Sequence, residues 1–133
     1  FNRLNRELHD IYHEIALKSG LSDSAFLILY TIAEFGNECS QKEIADYYSI
    51  SRKTINSSIK KLQAEGILTL KTGHKQERYL SLTPAGEALV EKCIVPVVQM
   101  ENDIFSEMEP NERNELLRLT EKYIECYRRK LYP

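Results

Sequence analysis

A mainly α-helical chain, interrupted once by a small β-hairpin, is the fold class that this sequence predicts, and three observations predict it. Apolar residues recur at three- and four-residue spacing over most of the 133 positions, which is the mark of amphipathic helices. After Gly66 that period gives way to a short run of β-forming residues. Between positions 40 and 66, two capped helical segments stand close together across a tight turn.

The elements follow in order. Leu4, Leu8, Ile11, Tyr12 and Ile15 form the stripe of a first helix that Gly20 ends. Ser22 is suited to cap a second helix through Ala25, Ile28, Leu29, Ile32 and Phe35, apolar on more than one face and therefore central. Ser40-Gln41-Lys42-Glu43 has the form of a capping box and opens a short helix to Tyr48. After Ser49-Ile50, Ser51 caps a further helix with Ile55, Ile59 and Leu62 on its buried side, closed by Gly66. Residues 67–72 and 78–82 read as a hairpin around the polar tip Gly73-His74-Lys75-Gln76-Glu77. Thr83-Pro84 signals one long helix to Phe105, kinked at Pro96, and Pro110 opens a last one as far as Arg129. With 42% hydrophobic residues the chain can bury one core, so a single domain over 1–133 is expected, with 22–83 as its central part and 1–21 and 84–133 as flanking helices.

Charge is distributed unevenly. The net charge is −2, yet residues 51–83 hold Arg52, Lys53, Lys60, Lys61, Lys71, Lys75 and Arg78 against Glu65 and Glu77. A basic segment inside an acidic chain is what one surface facing a polyanion looks like. No apolar run approaches the ~18 residues of a membrane span, and the N-terminal stretch lacks a signal-peptide core, so a cytoplasmic protein with no membrane partner is expected. Cys39, Cys93 and Cys126 are odd in number and far apart, which agrees with a reducing compartment. A glycine-rich phosphate loop, a nucleophile elbow and paired catalytic carboxylates are all missing, and the sequence points to neither an enzyme nor a cofactor protein.

A short helix, a tight turn and a second capped helix with a basic outer face make a helix-turn-helix, whose second helix enters the major groove of DNA. With the hairpin beside it, the unit is a winged helix-turn-helix. Burial of Ile55, Ile59 and Leu62 turns Arg52, Lys53, Asn56, Ser57 and Lys60 outward. Arginine and lysine pair with guanine edges, asparagine with adenine, and serine hydroxyls with phosphate. Thr54 is counted with them, and Lys61 serves as a backbone contact at the flank. On the hairpin, Lys75 and Arg78 can follow an adjacent minor groove. The other reading of the same face is a protein-interaction module that binds an acidic partner; duplex binding differs from it by a steep salt dependence.

The segments Ser40-Gln41-Lys42-Glu43-Ile44-Ala45, Ile50-Ser51-Arg52-Lys53-Thr54-Ile55, Lys61-Leu62-Gln63-Ala64-Glu65-Gly66-Ile67-Leu68 and Leu82-Thr83-Pro84-Ala85-Gly86, in this order and spacing, make the chain resemble the MarR family of bacterial regulators over nearly its whole length. That resemblance implies a transcriptional regulator, a homodimer built from the first helix and the last two, and a pseudo-palindromic double-stranded DNA site. It also implies repression relieved by a small-molecule effector or an oxidant. Where the family's wing carries Asp-x-Arg, this chain has His74-Lys75-Gln76, which leaves Lys75 and Arg78 as the cations for the minor groove. Dimerisation also follows from the terminal helices, which hold more apolar surface than a small winged helix can cover.

Histidines, cysteines and tyrosines offer three further signals. His9 and His13 stand four apart, as two metal ligands would, but no third ligand is defined and a surface role is preferred. Cys93 and Cys126 fall near apolar stripes and are read as packing residues, which leaves Cys39 as the best candidate for a reactive thiol. Tyr12, Tyr30, Tyr47, Tyr48 and Tyr79 suit either an effector pocket or the core.

Overall fold

The computed structural model describes residues 1–36, 39–48, 50–73 and 77–133. Its helices are α1 (Asn2–Lys18), α2 (Asp23–Phe35), α3 (Gln41–Tyr48), α4 (Arg52–Ala64), α5 (Pro84–Cys93), α6 (Val95–Glu107) and α7 (Pro110–Leu131). Its strands are β1 (Cys39–Ser40), β2 (Leu68–Thr72) and β3 (Arg78–Leu82). This is the expected winged helix: mainly α, with a small antiparallel sheet.

Local chemistry accounts for the helix starts. The Ser22 hydroxyl accepts the Ala25 amide at 3.2 Å, Ser51 accepts that of Thr54 at 3.2 Å, and Thr83 accepts that of Gly86 at 3.0 Å, each satisfying an amide that has no partner inside its helix. Ser40 does the same for the Glu43 amide at 3.0 Å. Helix α4 ends where Gly66 takes φ +74°, which lets the Ile67 amide fold back onto the Leu62 carbonyl at 2.9 Å.

The sheet has one strand more than the hairpin expected from the sequence. Its order is β1-β3-β2, with Leu68 opposite Leu82, Leu70 opposite Leu80 and Thr72 opposite Arg78, while Cys39 and Ser40 lie opposite Leu80 and Tyr79. Two residues are too few to show a period, so β1 exists only through its partner. The single kinked helix expected from Thr83 to Phe105 is instead two helices, α5 and α6, that meet at Ile94. Pro96 is the reason, because it offers no amide to the Lys92 carbonyl and its ring would collide with that carbonyl.

The chain divides into two compact units, Phe1–Pro96 and Val97–Pro133. In the first, Ala25, Ile28 and Ile32 of α2, Ile44 of α3, Ile55, Ile59 and Leu62 of α4, and Leu68 and Leu80 of the sheet form one buried cluster. Helix α1 shows the opposite pattern, with Leu4, Leu8 and Ile11 all more than half exposed. In the second unit no residue of α7 is buried, although Leu116, Leu117, Leu119, Tyr123, Ile124 and Tyr127 lie along it. No single helix among the described residues is long and apolar enough to cross a membrane.

Candidate nucleic-acid interface

The interface is built on α4. Ile55, Ile59 and Leu62 are at most 2% exposed and hold one side of the helix against the core. The 3.6-residue period then divides the rest into two stripes. Lys53, Ser57 and Lys61 occupy the crest directly opposite the buried side, and Arg52, Asn56 and Lys60 occupy the flank beside it; all six are exposed. Thr54 is exposed as well, and its hydroxyl lies 2.9 Å from that of Ser51 at the N-terminal end. The Ser57 hydroxyl donates to the Lys53 carbonyl at 3.0 Å, which keeps it close to the helix.

The flank stripe faces an open cleft of about 490 Å³ bounded by the start of α3, by α4 and by the hairpin. Arg52, Asn56, Lys60 and Arg78 all line it, so four of the residues expected from the sequence converge on one hollow, while Lys53, Thr54, Ser57 and Lys61 stand outside it. Arg78 sits where β3 begins, opposite Thr72. Lys75, the remaining expected contact, lies outside the described residues, as does His74. Gln41 and Lys42 also border the cleft and had not been expected there. Lys42 could have been found from its charge in the first turn of the helix-turn-helix; for Gln41 no signal exists in the sequence, because its relation to α4 is purely spatial.

Charge neutralisation inside the chain is minimal on this surface. Among the described residues, none of Arg52, Lys53, Lys60, Lys61 and Arg78 makes an ion pair; the four pairs present involve Arg3, His13, Lys18 and Arg118. Glu77, the nearest carboxylate in sequence to Arg78, accepts instead from the Tyr79 hydroxyl at 2.9 Å. Arg52, Lys53, Lys60, Lys61 and Arg78 are therefore not neutralised by any ion pair among the described residues.

Cys39 is not the reactive thiol that the sequence suggested. It is 1% exposed in strand β1, and burial first, then the Glu43 carboxylate facing it, push its thiol up to about 11. A reactive thiol needs the reverse, a cationic and accessible setting. Iodoacetamide at pH 8 is accordingly expected to alkylate the partly exposed Cys93 and Cys126 well before Cys39, as read by peptide mass mapping; equal rates at all three would contradict the buried setting. Of the two α1 histidines, His13 is engaged with Asp23, Nδ1 to Oδ1 at 2.8 Å. Tyr47 packs edge-on against Phe35 with ring centres 5.3 Å apart, beside a shallow hollow shared with Glu43 and Asp46.

Comparison with known proteins supplies an independent line. A model of the MarR family matches residues 19–78. The chain is similar to the HTH-type transcriptional regulator YwoH of Bacillus subtilis, at 24% identity over 107 residues that make up 80% of this chain and 77% of that protein. Among solved structures it is similar to NMB1585, a MarR family regulator from Neisseria meningitidis, with 21% identity, 98% of this chain and 92% of that chain covered, and a TM-score of 0.83. It is also similar to MepR in the S. aureus MepR–DNA complex, with 16% identity, 96% of each chain covered and a TM-score of 0.78.

Proposed function

We propose, from the match of the MarR family model to residues 19–78 and the geometry of α4, that the chain is a MarR-type DNA-binding transcriptional regulator that recognises a pseudo-palindromic duplex site as a homodimer. The observation that carries this reading is the exposed face of α4, on which cations without ion-pair partners among the described residues stand opposite a stripe of buried isoleucines. A helix held in this way fits a major groove, and each cation that meets a phosphate releases counterions, the main source of affinity for DNA.

In this reading Arg52, Asn56 and Lys60 face base edges, and Lys53, Thr54, Ser57 and Lys61 contact the backbone of the duplex. Lys75 and Arg78 extend along the neighbouring minor groove. The exposed leucines and tyrosines of α1 and α7 support the homodimer, since a partner chain would remove them from water at roughly 25 cal/mol per Å² of apolar surface. The regulator acts as a repressor that a small-molecule effector releases.

Selection from a random duplex pool tests the reading. Two half-sites in inverted orientation are expected, occupied by two chains per duplex. Absence of any enriched sequence would remove the DNA-binding assignment, and a single half-site bound by one chain would remove the homodimer.

A further inference from the structure

Within the DNA-reading role just proposed, and resting on it, we infer that Gln41 is a positioning residue that fixes the side-chain amide of Asn56 for recognition of one base pair. The two residues are fifteen positions apart, and the Gln41 amide N–H donates to the Asn56 amide oxygen.

An asparagine amide on an exposed helix has a broad, roughly two-fold torsion about its last bond, so it presents its oxygen or its nitrogen outward with little preference. That ambiguity matters in a major groove. Adenine offers an acceptor at N7 beside a donor at N6, and guanine offers two acceptors, N7 and O6. While Gln41 directs its amide N–H at one lone pair of the Asn56 oxygen, the Asn56 amide cannot turn over by itself without losing that bond. Its NH2 group remains free to donate to N7, and the second lone pair of its oxygen remains free to accept from N6. Against guanine the same oxygen would meet O6, acceptor against acceptor. Locking the amide therefore favours A·T over G·C at that pair.

Gln41 can act this way because it is itself held. It is the first residue of α3, directly after Ser40, whose hydroxyl accepts the Glu43 amide and whose backbone pairs with Tyr79 across β1 and β3. Gln41 is half-buried at the edge of the cleft where Arg52, Asn56 and Lys60 converge. The short strand that the sequence did not reveal is thus what anchors the residue that orients Asn56.

The test is base preference at every position of the selected site, measured by duplex competition for the wild type, Asn56→Ala, Gln41→Ala, the double variant and Gln41→Glu, with thermal unfolding as a control for folding. In the wild type, adenine is preferred by about tenfold or more at the pair that Asn56→Ala relaxes. Gln41→Ala is expected to relax the same pair, to roughly threefold or less, to leave other positions and the salt slope unchanged, and to add nothing to Asn56→Ala in the double variant. Gln41→Glu, which can only accept, should turn the Asn56 amide round so that its oxygen meets N7 and its remaining N–H meets the N6 or O6 position, and the advantage of adenine over guanine should vanish. Retention of wild-type preference in Gln41→Ala would overturn the inference while leaving the DNA-binding role standing, as would a uniform loss at all positions with lowered unfolding temperature. A wild-type chain without any sequence preference would overturn both.

Discussion

Gly86→Ala is expected to destabilise the protein at or above the roughly 3 kcal/mol that marks the upper end of ordinary overpacking. A Cβ built on Gly86 would lie 2.0 Å from the Ile67 carbonyl oxygen and 3.1 Å from its carbon, far inside van der Waals contact. That carbonyl has no freedom to retreat, because it accepts the Thr83 amide at 3.0 Å and lies 3.1 Å from the Thr83 hydroxyl. The same hydroxyl donates to the Gly66 carbonyl at 2.5 Å and accepts the Gly86 amide, so Thr83 ties the end of α4, the start of the hairpin and the first turn of α5 together. Elsewhere in a helix, glycine to alanine would be favourable by up to ~1 kcal/mol, and here the contact reverses the sign. At about 4 °C per kcal/mol for a chain of this size, a fall of roughly 10 °C or more in Tm is the expected reading. An alanine variant as stable as the wild type would show that α5 does not rest on Ile67.

The second large effect concerns binding. Lys53→Ala combined with Lys61→Ala, at the two cations proposed to contact the duplex backbone, should weaken duplex affinity steeply at low salt while leaving Tm unchanged, since both side chains are exposed and neither makes an ion pair among the described residues. Each lost phosphate contact lowers the slope of log affinity against log salt by about 0.9, and in the proposed homodimer four cations are lost at once. The slope itself separates the two readings of the basic face. A duplex gives a large value that shrinks with each alanine, whereas a folded acidic protein, with no condensed counterion layer, gives a small one. Wild-type affinity and slope in the double variant would exclude α4 as the contact surface.

Much of the fold was legible because it rests on interactions between near neighbours. Ser22, Ser51 and Thr83 each bond an amide three residues on, and the bonds are present. The stripe Ile55, Ile59 and Leu62 follows from the helical period alone, and all three are buried. The outward direction of Arg52, Lys53, Asn56, Ser57 and Lys60 is the complement of that stripe. Less legible was the break before Pro96: the missing amide can be read from sequence, but not whether the chain bends or restarts.

By itself, then, the order of residues determined the succession of helices and hairpin, the side of α4 that is buried and the side that carries charge, because period and caps act within one turn. Only the tertiary structure decided what lies beside what across longer separations. It set β1 against β3, enclosed the Cys39 thiol beside Glu43, seated Gly86 on the Ile67 carbonyl and joined Gln41 to Asn56. Such contacts depend on how whole elements pack, and no pattern within a single element encodes them.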